Sequence, residues 1–139
     1  MILVDSSGLF DAMNETQPGH GAARLALEAE EAPYILSPFV VAELDYLISE
    51  RVGLKAELAF LAEIAAGRYD LAPFAAGDVA EARDVVARYR DLSIGLADAS
   101  IVVLAGRYGA NRVLTLDERH FRALQAPDGG HFTLLPADA

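Results

Sequence analysis

Four acids stand in apolar surroundings where an isolated charge is expensive to keep. Asp5 follows Ile2-Leu3-Val4, and Glu43 lies within Phe39-Val40-Val41-Ala42-Glu43-Leu44. Asp98 interrupts the apolar run from Ile94 to Leu104, and Asp117 closes Val113-Leu114-Thr115-Leu116. A buried lone carboxylate takes up a proton, finds a cation or binds a metal. Paired cations are scarce nearby, and Lys55 is the sole lysine. Gathered together, the carboxylates would raise one another's pKa values, a penalty that divalent cations remove. Oxygen-only ligation favours Mg²⁺ or Mn²⁺ over zinc, and the chemistry such a cluster supports is metal-dependent phosphodiester cleavage.

Each acid also has a plainer explanation. Asp5 sits where a strand passes into a helix and could cap it, although Ser6 or Ser7 could do that instead. Glu43 has Val40 three residues before it and Leu47 four after, so it shares or borders a buried stripe, from whose edge it could reach solvent. Asp98 in the first turn of a helix could serve the exposed N–H groups there. Asp117 could simply begin the helix that follows it, while Thr115 is placed to orient a carboxylate or water. Asp45 points away from Glu43 and is expected to be solvated or locally paired. The pattern of four is more specific than any member.

No competing site emerges. His20, His120 and His131 lack the spacing of a zinc hydrolase, and His120, between Arg119 and Arg122, reads as a surface or locally satisfied histidine with a phosphate contact as its functional alternative. The chain has no cysteine, which removes disulfides and thiolate metal sites. The phosphate-binding and nucleophile-elbow glycine motifs are absent.

Elements that could hold the acids together follow from the hydrophobic pattern. Strands are expected at Ile2–Val4, Tyr34–Leu36, Tyr69–Leu71, Arg112–Leu116 and Phe132–Leu135. Helices are expected from Ser6 to about Met13, Ala22 to Glu31, after Ser37-Pro38 to about Arg51, Leu54 to Ala66, Ala76 to Arg90, Leu96 to Tyr108 and Glu118 to Leu124. Short apolar strands alternating with helices imply a parallel sheet covered on both faces, whose ligands bind at the carboxyl ends of strands. Asp5 and Asp117 fall at such ends.

The 139 residues, with a 53% hydrophobic fraction and mean hydropathy +0.25, suffice for a single domain over 1–139 with its own core. No apolar run approaches membrane-spanning length, and no signal-peptide pattern opens the chain, so a cytoplasmic location is expected. The net charge of −10 is unusual for a nucleic-acid enzyme, even though four of the negative charges belong to the proposed metal site. Contact with a polyanion must then be local, and ten of the eleven basic residues are arginine, the better residue for phosphate.

Ile2-Leu3-Val4-Asp5-Ser6-Ser7, Ser37-Pro38-Phe39-Val40-Val41-Ala42-Glu43-Leu44, Ile94-Gly95-Leu96-Ala97-Asp98-Ala99 and Leu114-Thr115-Leu116-Asp117 together resemble the PIN-domain family, and more narrowly the VapC toxins of bacterial type II toxin–antitoxin systems. The resemblance spans nearly the whole chain. It implies a Rossmann-like three-layer α/β/α fold with a mainly parallel five-stranded sheet. It further implies a Mg²⁺- or Mn²⁺-dependent endoribonuclease that cuts structured RNA such as tRNA or rRNA. Asp5, Glu43, Asp98 and Asp117 match the family's metal-binding, catalytic acids; Ser6 matches a hydroxyl position and Thr115 a polar position before the last acid. Arg119 and Arg122 are the nearest candidates for RNA contact. The implied partners are a small VapB-like antitoxin, whose arginine-bearing segment folds onto the toxin, and a second copy in a homodimer. The apolar helices from Ser37 to Ala66 would supply surface for the antitoxin. A receiver domain would need an acidic pair after the first strand and a late lysine, and an aspartyl phosphatase an Asp where Ser7 stands. A non-catalytic module on the same fold, or a nuclease without an antitoxin, are the alternatives.

Overall fold

The computed structural model describes residues 1–139. Five strands, β1 (Ile2–Val4), β2 (Tyr34–Leu36), β3 (Asp70–Leu71), β4 (Arg112–Leu114) and β5 (Thr133–Leu135), form one sheet in the order β3-β2-β1-β4-β5. Every pairing is parallel, so the sheet is wholly rather than mainly parallel. Between the strands run α1 (Ser6–Met13), α2 (His20–Glu28), α3 (Pro38–Arg51), α4 (Leu54–Ala65), α5 (Ala76–Arg88), α6 (Leu96–Tyr108) and α7 (Glu118–Ala123). Right-handed crossovers put α1–α4 on one face and α5–α7 on the other, which makes three layers.

The three central strands are buried throughout or nearly so, as two-sided coverage requires. Their apolar residues belong to one core with Leu44 and Ile48 of α3, Phe60 of α4, Ile101 and Leu104 of α6 and Phe121 of α7. Ser37 caps α3 by accepting the Phe39 N–H, with Pro38 at the first helical position, and Gly109 closes α6 in the left-handed region at φ 65°.

Differences from the sequence expectation are local. Helix α2 begins at His20 rather than Ala22, because the His20 ring bonds the Asp11 carbonyl at 2.8 Å and holds that turn against α1. Strand β4 ends at Leu114, so Thr115 lies just past the sheet, though its N–H still donates to Leu135 O at 2.9 Å. On α4 the apolar spacing does not mark a buried face. Phe60 alone is buried, and Leu58 and Leu61 are 57% and 40% exposed. Asp45 is half-buried rather than freely solvated, and it stands against Glu57 of α4, whose carboxyl is pushed up by that neighbour.

Because β1 connects outward to β2 while β4 lies on its other side, strand order reverses between β1 and β4. A crevice opens outside the carboxyl ends of strands at such a point. Gly8 brings α1 to its edge: a Cβ there would sit 2.5 Å from Leu114 O, so only glycine lets the helix lie on the end of β4.

Candidate metal centre

Asp5 leaves β1 buried, with its N–H donating to Leu114 O at 3.0 Å. It occupies the N-cap position of α1, yet its side chain caps nothing. Instead its Oδ2 accepts from Thr115 Oγ1 at 2.7 Å and from Ser7 Oγ at 2.9 Å. A hydroxyl carries one proton, so both are committed to Asp5, and the two oxygens are left as acceptors. Ser7 Oγ takes the Leu116 N–H at 3.0 Å and Thr115 Oγ1 takes the Asp117 N–H at 2.9 Å. This network clamps the end of β1 to the loop after β4. Burial pushes the Asp5 carboxyl up, against the opposing pull of the Thr115 and Ser7 hydrogen bonds.

Ser6 serves a different acid: its buried hydroxyl donates to Glu43 Oε1. The buried stripe of α3 is Val40, Leu44 and Ile48, so Glu43 stands one position off it and faces solvent at the rim, where Ser6 holds one oxygen. Helices α3 and α6 are joined by a buried contact between Ser37 Oγ and Ser100 Oγ at 2.6 Å, and Ser100 also donates to Ala97 O.

Asp98 lies in the first turn of α6 with its side chain 18% exposed. Gly95 is the N-cap there, and Asp98 accepts no hydrogen bond, so capping does not explain it. Its carboxyl is pushed up to about 6, first by burial, then by the charges of Asp5 and Asp117, with Glu43 adding and His120 opposing. A carboxyl that feels the other three carboxylates is the electrostatic mark of convergence.

For Asp117 the plainer explanation holds in part. Its Oδ1 accepts the His120 N–H at 3.1 Å and caps α7. The other oxygen faces the His120 ring, with Nδ1 2.8 Å from Asp117 Oδ2 and 3.4 Å from Asp98 Oδ2. His120 is thus no surface residue: its ring lies between two of the acids. Donor atoms of Asp98, Asp117 and His120 all come within 4.8 Å of one another, and Asp5 and Glu43 flank them.

Sequence reasoning missed two members, Ser7 and His120. A helix beginning at Asp117 turns position 120 back over its first residue, so i,i+3 spacing was the available signal for His120. Ser7 carries none, since its role depends on Gly8 letting α1 meet β4. Of the arginines, Arg122 is engaged by Asp138 at 2.6 and 2.8 Å and by Glu118 at 3.0 Å. Arg119 is exposed.

The donor set fits a hard divalent cation. Carboxylate oxygens from separate elements converge, Asp98 lacks any donor, and His120 Nδ1 is sealed from solvent with no hydrogen bond of acceptable geometry.

The family model for the PIN domain matches residues 2–126. Ribonuclease VapC26 of Mycobacterium tuberculosis is 44% identical over 135 residues, 97% of this chain and 100% of that protein. Among solved structures, the sarcin-ricin loop cleaving toxin VapC20 of Mycobacterium tuberculosis aligns with TM-score 0.78 at 20% identity, over 84% of this chain and 90% of its own. VapBC2 from Rickettsia felis, solved bound to a DNA fragment from their promoter, aligns with TM-score 0.65 at 21% identity, over 96% of this chain and 97% of its own. FitAcB from Neisseria gonorrhoeae gives TM-score 0.65 at 22% identity with the same coverage.

Proposed function

The chain belongs to the PIN-domain family, and from that premise we propose that it is a divalent-metal-dependent endoribonuclease, the toxin of a toxin–antitoxin pair acting on structured RNA. The observation that carries this reading is the convergence of Asp5, Glu43, Asp98 and Asp117 at one crevice, felt in the raised carboxyl of Asp98. Near-complete coverage by a relative named as a ribonuclease supports it.

In this reading the four acids hold Mg²⁺ or Mn²⁺. The bound cation supplies the positive charge that activates an attacking water and stabilises the leaving oxygen of a phosphodiester. The chain's own part is placement. Thr115 and Ser7 fix Asp5 in one orientation, Ser6 fixes one oxygen of Glu43, and the α7 N-terminus fixes Asp117. Asp98 keeps both oxygens free of donors. Such preorganisation is what keeps a reacting phosphate in register without rearrangement at the moment of reaction. RNA approaches from the rim, where Glu43 is exposed, and the exposed Arg119, two residues after Asp117, is a basic residue offered for contact. Arg122 serves instead to pin the C-terminal residues through Asp138, which also accepts the Leu134 N–H at 2.7 Å.

The antitoxin would dock on the α1–α4 face. A cleft of about 290 Å³ lined by Leu9, Leu27, Tyr34 and Tyr69 meets a smaller one lined by Phe10, Ile48 and Val52, with Met13 shared between them. Exposed Leu54, Leu58 and Leu61 extend the apolar surface along α4. An arginine from the same partner would find the acidic crevice, where guanidinium and carboxylate pair in two-pronged fashion.

The test is cleavage of tRNA and rRNA by the purified protein with Mg²⁺ or Mn²⁺, with EDTA, and with Asp98→Asn. Cleavage that needs the metal and Asp98 supports the reading. Cleavage that persists in EDTA, or no cleavage of any RNA with either metal, overturns it.

A further inference from the structure

The metal reading above treats the ligands as oxygen alone, and one donor atom in the crevice does not fit that description. His120 Nδ1 is buried, makes no hydrogen bond, and is closer to Asp117 Oδ2 (2.8 Å) and Asp98 Oδ2 (3.4 Å) than any other group offering a proton or a charge. Helix α7 holds it there rigidly. The His120 N–H is the one that Asp117 caps, and Phe121 beside it is buried in the core against Phe132. The ring cannot drift away as a surface histidine would. A buried ring nitrogen that lies against two carboxylate oxygens without a hydrogen bond of acceptable geometry is placed to share a cation with them, and the space among the three atoms is the size of a cation's ligand shell.

Resting on the metal reading, we propose that His120 Nδ1 is itself a ligand, which with Asp98 and Asp117 makes a mixed nitrogen–oxygen position selective for Mn²⁺ over Mg²⁺. Two carboxylates and a neutral imidazole balance the charge of one divalent ion, so the position is complete in charge without Asp5 or Glu43. Mg²⁺ demands oxygen and holds its waters, whereas imidazole binds later divalent ions increasingly well, with Mn²⁺ the first of that series. The chain therefore discriminates between the two cations that an all-oxygen site would accept alike.

The experiment uses the full chain loaded with Mn²⁺ alone. Pulsed electron paramagnetic resonance should detect hyperfine coupling from a directly bound nitrogen. Labelling the histidine ring nitrogens with the heavier isotope should change that coupling in the wild-type protein, and His120→Ala should remove it while His131→Ala leaves it. By calorimetry, His120→Ala should also lower the preference for Mn²⁺ over Mg²⁺ by about tenfold or more. If Mn²⁺ binds and no histidine nitrogen couples to it, the inference is overturned and the metal reading stands; an imidazolium merely ion-paired with the acids gives this result. If neither cation binds, both fall. Should His120→Ala not fold, the isotope comparison on the wild-type chain decides alone.

Discussion

Neutralising Asp98 should make the cation-free protein more stable while ending its activity. The Asp98 carboxyl is raised from 3.8 to about 6, so it holds its proton more tightly in the folded chain than in the unfolded one. Stability therefore falls as pH rises from the unfolded value to the folded one, and the whole penalty is present above it. Two pH units amount to about 3 kcal/mol at 1.36 kcal/mol each, a ceiling that partial solvent screening lowers to about 2 kcal/mol. Asp98→Asn removes that penalty, and because the carboxylate accepts no hydrogen bond, it breaks none in return. For a chain of this length the gain is a rise in Tm of about 8 °C in EDTA near pH 8. Near pH 5, between the two values, about half of the penalty remains and the gap should narrow accordingly, closing only as the pH falls below the unfolded value of 3.8. Adding Mn²⁺ at about a hundredfold over its Kd should restore about 2.7 kcal/mol to the wild type and much less to the variant, so their order narrows or reverses. Thermal unfolding of both proteins at the two pH values, with and without metal, reads all of this. A variant less stable than wild type in EDTA near pH 8, or a gap that does not change with pH, would refute the reasoning.

Thr115→Val should leave Asp5 short of a donor and the Asp117 N–H without an acceptor, costing about 1–3 kcal/mol and weakening metal binding, with Thr115→Ser largely restoring both. Thermal melts and metal titration of the pair check it; equal loss in both variants would point to packing. Gly8→Ala puts a methyl against the Leu114 carbonyl and should cost about 1–3 kcal/mol despite alanine's better helix propensity, as measured by urea unfolding. Replacing Leu58 and Leu61 together by Glu should leave the isolated chain's stability within about 0.5 kcal/mol yet abolish co-purification with the proposed antitoxin. Undiminished co-purification would move the partner off α4.

The sheet was legible because its strands are short apolar runs buried on two faces, and Ser37-Pro38 and Gly109 punctuate the helices that follow the rules of capping most closely. The convergence of the acids was legible for a related reason: each interrupts or closes such a run, so the fold that buries the run must also carry the acid to a strand end or a helix start. What was not legible depends on which helix face meets which neighbour. Leu58 and Leu61 keep helical spacing but face outward, because α4 meets the core through buried Phe60 with the partly buried Ala56 and Ile64. Asp45 reads as a surface acid because nothing in α3 shows that Glu57 of the next helix will stand against it. The pairing of Ser6 with Glu43 and Ser7 with Asp5 is set by the turn of α1, and the sequence offers both serines equally.

Asp5 and Asp98 lie within a shell of apolar residues that would be more stable around a neutral side chain, and the hydroxyls of Thr115 and Ser7 only partly offset the burial of Asp5. A fold can sustain such a site when the rest of the core is ample, as the fully buried leucines and isoleucines of β1, β2, β4 and α6 make it here. The same tension makes the crevice a receptor for positive charge of any suitable shape. A small divalent ion and the guanidinium of a partner relieve the same repulsion among the same carboxylates. Activity and inhibition can therefore be drawn from one arrangement of acids, with the apolar surface of α4 deciding which partner brings the competing charge.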